Sequence, residues 1–306
     1  MSILTDTAQP GNNQSGTKQP LLQLQHVSIS PKSAPSRLLV NDVSFTIEAG
    51  KTTCVVGESG SGKSLTALSV MGLLSQQLQF NHGKVLFNDN ETGVQEISQL
   101  PEKALQKIRG AKIAMIFQEP MTSLNPVLTI GYQIGESLTT HLGLKNQALK
   151  DKVASLLEMV GIPSSRASSY PDELSGGQRQ RVMIAMSIAC EPRLLIADEP
   201  TTALDVTVQA QILRLLDDLK TRMNMGMLFI THDFGVVADI ADNVVVMFRG
   251  EIVEAGTKQQ VLDNPQHPYT KALLACVPDA EGRKDLKPID YAWLQSNNNQ
   301  LVGAAI

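Results

Sequence analysis

The sequence is poor in cysteine and in aromatic residues. Of its 306 residues, only three are cysteines and 4% are aromatic. Cys54, Cys190 and Cys276 lie far apart and form no CxxC pair, which excludes a disulfide framework and a zinc signature. Isolated cysteines are typical of a reducing, cytosolic setting. Because aromatic side chains are scarce, we expect a core built from Leu, Ile, Val, Ala and Met.

The sequence also lacks an excess of positive charge and long apolar runs. The formal net charge is −4 and the sequence pI about 5.8, so no basic excess indicates a nucleic-acid partner. No apolar run approaches the roughly 20 residues that a membrane-spanning helix needs. The N-terminal residues are polar and lack the apolar core of a signal peptide. If the protein acts at a membrane, we expect it to do so through partners.

Hydrophobic periodicity predicts an α/β fold. Strand-like apolar runs alternate with helical stretches, which favours a mostly parallel sheet with helices on its faces. A helical insert is predicted at about 130–187, residues 1–20 are predicted to be a disordered tail, and 279–306 are a poorly patterned extension. The strand candidates are 21–30, 38–47, 52–56, 84–88, 112–117, 194–197, 228–231 and 244–248.

A glycine-rich loop follows the strand candidate at 52–56. It fits the pattern G-x-x-x-x-G-K-[ST] in full, which is typical of loops that bind nucleoside triphosphates. Glycines allow a tight turn whose N–H groups point at phosphate oxygens, and the following helix adds its positive dipole end. Lys63 would neutralise the β- and γ-phosphates, and the Ser64 hydroxyl would be a ligand of Mg²⁺. The predicted cradle consists of Gly57, Glu58, Ser59, Gly60, Ser61, Gly62, Lys63 and Ser64.

Two acids follow the apolar run at 194–197. The carboxyl ends of parallel strands form the ligand-binding edge of open α/β sheets, so we expect Asp198 and Glu199 to face the nucleotide. Asp198 is predicted to hold Mg²⁺, a hard ion that suits oxygen ligands. Glu199 is predicted to act as a general base that accepts a proton from the attacking water.

Further motifs make the sequence resemble the ATP-binding cassette (ABC) family. Leu174-Ser175-Gly176-Gly177-Gln178 matches the signature sequence of that family and precedes the acidic pair, as it does there. Gln118 matches the Q-loop, Ala203-Leu204-Asp205 the D-loop and His232 the switch histidine. The motifs occur in the family's order, which makes the resemblance specific.

The resemblance implies a P-loop NTPase fold of the ABC ATPase type, in which a mostly parallel core carries an N-terminal antiparallel β subdomain and an α-helical signature subdomain. The ATP-binding domain is then expected at 21–278, with its helical subdomain at about 119–187. Gln118 would reach Mg²⁺ and the attacking water, and His232 the γ-phosphate. A second cassette placed head to tail would complete the ATP site through Ser175, Gly176, Gly177, Gln178 and Asp205.

In the stretches 116–126, 197–206 and 264–274, the sequence resembles the importers of dipeptides, oligopeptides and nickel. This implies an ATP-hydrolysing importer subunit whose cargo is di- or oligopeptides, with nickel or another small solute as the alternative. The implied partners are a second ATPase subunit, self or sibling, two membrane permeases and a solute-binding protein. The implied location is peripheral, at the cytoplasmic face of the inner membrane.

One departure from that branch concerns iron. Many of its members carry a cysteine cluster for an iron–sulfur centre after the segment that corresponds to 264–274. In this sequence only Cys276 lies near that point, so no cluster is predicted.

Two other classes compete with the importer hypothesis. A soluble ABC ATPase acting on DNA would separate the phosphate loop and the signature by a long coiled coil, and a ribosomal one would carry two cassettes. The gap from Ser64 to Leu174 is too short for the first, and one cassette together with the acidic net charge disfavours the second. A non-hydrolysing regulatory module is disfavoured because Glu199 and His232 are both present.

The family usually stacks adenine on an aromatic residue near the end of the first strand, where this sequence has Ser28-Ile29-Ser30-Pro31. Stacking on an aromatic face contributes roughly 1–3 kcal/mol in nucleic-acid sites. We therefore expect only modest base selectivity, so that GTP competes with ATP in a binding assay. A preference for ATP above about a hundredfold, which corresponds to roughly 2.7 kcal/mol, would show that another residue contacts the base.

Overall fold

The computed structural model describes residues 19–89, 93–118, 123–202 and 204–276, and within them ten β-strands form two sheets. The expected tails at 1–20 and 279–306 fall almost wholly outside the described residues. The strands are β1 (Leu22–Pro31), β2 (Val40–Ile47), β3 (Thr52–Val56), β4 (Leu78–Asp89), β5 (Gly93–Glu96), β6 (Ile113–Ile116), β7 (Leu194–Asp198), β8 (Gly226–Thr231), β9 (Asn243–Phe248) and β10 (Glu251–Thr257).

Nine α-helices and three short 3₁₀ helices connect these strands in the described part of the chain. No helix among them combines the length and the hydropathy that crossing a bilayer requires. The α-helices are α1 (Lys63–Met71), α2 (Glu102–Ile108), α3 (Ile130–Leu142), α4 (Asn146–Met159), α5 (Gly176–Ile188), α6 (Val206–Met223), α7 (Phe234–Ile240), α8 (Lys258–Asp263) and α9 (Pro268–Ala275).

The larger sheet has the strand order β10-β9-β3-β8-β7-β6. Five of its strands run parallel, and β10 pairs antiparallel with β9 at one edge. Every residue of β3, β7 and β8 is buried, as expected for central parallel strands with both faces covered. Because β3, β6, β7 and β8 end at the same edge, the segments that follow them meet there.

The side chains of the larger sheet alternate between two hydrophobic clusters. In β3, Cys54 and Val56 belong to one cluster, together with buried residues of α3, α4, α5 and α6. Val55 belongs to the other, together with the smaller sheet and α1. This alternation follows from the two-residue period of a strand, and it places the central sheet between two different layers.

The smaller sheet is antiparallel, with the order β2-β1-β4-β5. Its last two strands come after α1, so the predicted N-terminal β subdomain is not one continuous stretch of chain. The strand predicted at 84–88 begins earlier, at Leu78, and β5 and β10 were not predicted. Both have intermediate or exposed side chains that show no buried apolar run.

The predicted helical insert is present as α3, α4 and α5, joined by turns and 3₁₀ segments. Val153, Leu156, Leu157 and Val160, which recur at helical spacing along α4 and its C-cap, are buried, and Leu149 at the same spacing is partly buried. The helix after the phosphate loop, α1, ends at Met71 because Gly72 follows in a left-handed conformation with φ 61°.

Candidate functional site

The phosphate-loop motif connects β3 to α1 at the carboxyl edge of the larger sheet. Gly57 has φ 150° and Gly62 has φ 101°, values that L side chains rarely adopt. A Cβ atom on Gly57 would lie 2.2 Å from the main-chain oxygen of Met247, in the neighbouring strand β9. The loop can therefore follow its path only because glycine stands at this position.

Lys63 points back into the loop that precedes it. Its Nζ donates hydrogen bonds to the carbonyl oxygens of Gly57, at 2.7 Å, and of Glu58, at 2.8 Å. The residue is 5% exposed, and this burial lowers the pKa of the ammonium group, while the carboxylates of Glu199 and Asp198 act in the opposite direction. A buried cation within a glycine-rich loop of this kind can bind phosphate oxygens.

Asp198, at the end of β7, lies beside the start of α1. The hydroxyl of Ser64 donates to its Oδ1 at 3.0 Å. Burial raises the pKa of the Asp198 carboxyl group; the neighbouring Glu199 also raises it, whereas the Ser64 hydrogen bond and Lys63 lower it. A hydroxyl and a carboxylate in contact are oxygen ligands that suit Mg²⁺, so these two side chains fit the ion that the sequence predicts.

Glu199 has a left-handed backbone, with φ 47°. Its Oε2 accepts hydrogen bonds from Gln118 Nε2, at 3.1 Å, and from the Thr202 hydroxyl, at 3.0 Å, and its Oε1 lies 3.3 Å from His232 Nδ1. A conformation that costs on the order of 1–3 kcal/mol is often found at functional sites. The contacts on both oxygens keep the carboxylate in one orientation.

These side chains line a cavity of about 540 Å³ that adjoins a smaller recess in the phosphate loop. Ser59, Gln118 and Glu199 line both spaces, so the loop and the acid face one common volume. Apolar side chains of Phe234 and Leu273 also border the larger cavity. The structure thus brings together the predicted phosphate loop, Gln118, Glu199 and His232.

The signature and the D-loop aspartate lie elsewhere. Ser175 caps α5: its hydroxyl accepts the N–H of Gln178 at 3.3 Å, and the Gln178 side chain accepts the N–H of Ser175 at 3.0 Å. Asp205 caps α6 by accepting the N–H of Val208 at 2.9 Å. None of the three lines the cavity or the recess. Within one chain, these side chains cap the N-termini of two helices.

Gly176 and Gly177 open α5 beside the start of α6. A Cβ on Gly177 would lie 2.7 Å from the Val208 side chain, so glycine permits this close approach between the signature helix and the segment after the D-loop. The signature and the D-loop form one packed unit as a result.

Sequence reasoning gave Thr202 no role, although its hydroxyl contacts Glu199. A hydroxyl residue three positions after an acid in a loop was the available signal, but local spacing does not show that the two side chains meet. The two serines in the stretch of the expected adenine contact are not exposed. Ser28 and Ser30 are fully buried, and the Ser30 hydroxyl donates to Asn81 Oδ1 at 3.0 Å.

Within the described residues, no group of three or more His, Cys, Asp or Glu side chains is arranged to hold a metal ion. The expectation that no iron–sulfur cluster follows 264–274 concerns residues that lie mostly outside the described chain, and it stays a prediction.

A phosphate loop at the end of one parallel strand and an acid pair at the end of another define a nucleotide-binding ATPase. The ABC transporter family matches residues 40–202, just over half of the chain, and this match contains the loop and both acids. The C-terminal region of oligopeptide/dipeptide transporters matches residues 253–297, which include α9. The chain belongs to the ABC transporter family, and it is an ATPase of that family.

Relatives with long alignments support the same assignment. A candidate peptide import ATP-binding protein of Brucella ovis is 48% identical over 275 residues, which are 89% of this chain and 81% of that protein. The glutathione import ATP-binding protein GsiA of Salmonella typhimurium is 53% identical over 242 residues, which are 78% of this chain and 39% of GsiA.

Solved structures confirm the predicted fold class. CbiO1 from Clostridium perfringens, part of the ABC transporter complex CbiONQ, superposes with a TM-score of 0.70 at 26% identity, over 81% of this chain and 92% of that one. The ATP-binding cassette MJ0796, in a dimeric post-hydrolysis state bound to ADP and Pi, gives 0.68 at 28% identity, over 78% and 98%.

The loop geometry predicts different effects for one substitution at two glycines. Gly60→Ala should destabilise the chain by about 1–2 kcal/mol, because Gly60 has φ 82° but nothing lies within 4 Å of its Cβ position. Gly57→Ala should cost clearly more, since the main chain of β9 would have to move. Urea unfolding of both variants measures the difference. Equal free energies of unfolding would contradict the described path of the loop.

Proposed function

We propose that this protein is the ATP-hydrolysing subunit of an importer, and that it couples ATP hydrolysis to uptake of di- or oligopeptides. The match of residues 253–297 to the C-terminal region of oligopeptide/dipeptide transporters is the observation that carries this proposal. The relatives named for import of peptides and of glutathione, itself a short peptide, support it. Nickel or another small solute remains the alternative cargo that the sequence leaves open.

An uptake assay in cells that lack the gene tests the cargo. Return of the gene should restore accumulation of a labelled dipeptide or of glutathione, and a gene copy that encodes Lys63→Ala should not. Restored nickel uptake without peptide uptake would replace the proposed cargo by the alternative one.

The site chemistry follows from the orientation of Glu199. Gln118 and Thr202 donate to one of its oxygens and His232 lies next to the other, so the carboxylate is held at the wall of the cavity. From there Glu199 can accept the proton of an attacking water, while Lys63 and the loop N–H groups bind the β- and γ-phosphates. His232, which is 60% exposed, is free to donate to the γ-phosphate.

Ser64, Asp198 and Gln118 are the residues that we assign to Mg²⁺. The hydroxyl and carboxylate oxygens of the first two are in contact, and Gln118 borders the same recess. Bound at this place, the ion would offset the negative charge of the phosphates.

The position of the signature supports a second ATPase subunit. Ser175, Gly176, Gly177 and Gln178 do not line the cavity of their own chain, yet they form the N-terminus of a helix, which is an anion-binding element. Two cassettes placed head to tail would bring each signature, and the adjoining Asp205, to the nucleotide of the other chain. The partner is a copy of this chain or a sibling.

A groove of about 310 Å³ offers a place for the membrane permeases to dock. It lies between the core and the helical insert, and mostly apolar side chains line it, among them Met71, Phe117, Met183 and Met186. Phe117 is 43% exposed and directly precedes Gln118. A permease bound here would contact the segment that carries Gln118, so nucleotide binding and transport would be linked. We place this subunit peripherally at the cytoplasmic face of the inner membrane, and a solute-binding protein would belong to the full import complex.

The rival soluble ABC ATPase that acts on nucleic acid or ribosomes is not favoured. The relatives described above are named for import, and the C-terminal match belongs to a transporter family. The net charge of −4 gives no nucleic-acid footprint.

Glu199→Gln should keep ATP binding and slow hydrolysis by about 10²–10⁴-fold, because the amide keeps the shape of the side chain but cannot accept a proton. Phosphate release and equilibrium binding of ATP measure the two effects. Glu136→Gln is the control, since Glu136 is exposed on α3 and lines neither the cavity nor the recess, and it should retain most of the activity. Near-normal phosphate release by Glu199→Gln would remove Glu199 from the mechanism.

Sharing of the site between two chains predicts complementation, provided that a homodimer forms. Lys63→Ala and Ser175→Arg should each be inactive alone, because one lacks the phosphate loop lysine and the other blocks the signature. In a mixed dimer, one composite site joins an intact loop to an intact signature. ATPase activity of the mixture should exceed that of either variant.

Cross-linking shows whether the mixed dimers form. If they form and their activity stays at background, either both sites must work or the site is not shared in trans. A covalently linked pair with one wild-type half, whose other half carries both Lys63→Ala and Ser175→Arg, decides between these explanations. An active linked pair would contradict sharing in trans, and an inactive one would mean that both sites must work together.

A further inference from the structure

Two segments near the C-terminal end of the described chain form hydrogen bonds with backbone groups of the phosphate loop. The N–H of Gly250, in the turn between β9 and β10, donates to the carbonyl oxygen of Ser61 at 3.0 Å. The N–H of Glu58 donates to the hydroxyl oxygen of Tyr269, in α9, at 3.2 Å. Tyr269 lies 211 residues from Glu58, outside the matched ABC transporter segment and inside the match at 253–297.

The position of the Tyr269 hydroxyl is well defined because the whole residue is buried. Tyr269 has no exposed surface, and its ring centroid lies 4.3 Å from that of Phe248 with an angle of 37° between the planes. The Arg249 guanidinium lies 5.0 Å from the Phe248 ring centroid. Aromatic packing of this kind fixes the ring, so the hydroxyl is presented to the loop at a set place.

The hydrogen bond to Tyr269 acts on the same peptide group that receives Lys63. The N–H of Glu58 and the carbonyl oxygen of Gly57 belong to one planar peptide unit. Lys63 Nζ donates to that oxygen at 2.7 Å, while Tyr269 accepts the N–H on the opposite side. Gly57 itself adds little restraint, since glycine tolerates a wide range of backbone angles. The orientation of this peptide therefore depends on the two hydrogen bonds.

We propose that Tyr269 is a positioning residue for nucleotide binding, which fixes the Gly57–Glu58 peptide plane and thereby the place of Lys63. This inference rests on the proposed assignment of the loop at 57–64 as the ATP site. It makes α9, which lies within the match to the C-terminal region of oligopeptide/dipeptide transporters, a structural part of the phosphate site. Changes in the position of α9 would then alter the affinity for ATP.

Tyr269→Phe tests the proposal in the full-length protein, because it keeps the ring and removes only the hydroxyl. We expect KM for ATP and the dissociation constant of a fluorescent ATP analogue to rise about three- to tenfold, the range that one neutral hydrogen bond supplies. The value of kcat should stay close to that of the wild type, since the loop that binds the phosphates is loosened while Glu199 is untouched.

Thr270→Val is the matched control. Thr270 is the next residue of α9, is fully buried, and its hydroxyl oxygen has no hydrogen-bond partner among the described residues. Removal of that hydroxyl should leave KM unchanged. If Thr270→Val raises KM as much as Tyr269→Phe does, general repacking of α9 is the cause and the positioning role is overturned. The same conclusion follows if Tyr269→Phe leaves KM unchanged or lowers kcat alone.

Lys63→Ala separates this inference from the function on which it rests. Loss of ATP binding in Lys63→Ala together with wild-type affinity in Tyr269→Phe overturns only the role of the tyrosine. Wild-type affinity in Lys63→Ala would mean that the loop is not the phosphate site, and both proposals would fall. Melting temperatures of the nucleotide-free variants show whether each one is folded.

Discussion

The arrangement around the buried ammonium group of Lys63 is the interaction on which the rest of the site depends. Removal of an ion from water costs several kcal/mol unless other groups replace the lost hydration. Here the carbonyl oxygens of Gly57 and Glu58 do so, and Asp198 and Glu199 lie close enough to favour the charged form. Such contacts require a loop that turns back on itself, which explains the glycine at the crowded start of the loop.

Burial shifts the pKa values of Lys63 and Asp198 in opposite directions. It lowers the pKa of Lys63 and raises the pKa of Asp198, because in both cases it disfavours the charged form. An anion beside Lys63 and a cation beside Asp198 would each favour the charged form. A nucleoside triphosphate with a divalent cation supplies both, so the electrostatics of the site support the ligand pair that we propose.

Gln118, Glu199 and His232 line the cavity, whereas the signature residues of the same chain do not. This division follows from topology, since the phosphate loop and the acid pair lie at the sheet edge, whereas α5 begins within the helical insert. The close packing of Gly177 against Val208 joins the signature to the segment after the D-loop. The helical insert and the D-loop segment therefore present their helix starts together, at the surface that we propose for a second cassette.

Much of the site could be predicted from the sequence because its parts are encoded locally. The loop at 57–64 needs glycines at set positions, the start of α5 needs the Ser175 and Gln178 pair, and buried parallel strands need continuous apolar runs such as 194–197. Each requirement involves neighbouring residues only, so a short motif reveals it. The exposed strands β5 and β10 lack such a pattern, and the sequence did not predict them.

The remaining features were decided by the tertiary structure. Gln118 meets Glu199 across 81 residues, and Tyr269 meets Glu58 across 211, because packing of the sheets and helices brings distant segments to one edge. Periodicity reports which face of an element is buried, but it does not report which side chain lies opposite. The sequence alone therefore determined the chemistry available to this protein, whereas the fold decided which of those groups act on one another.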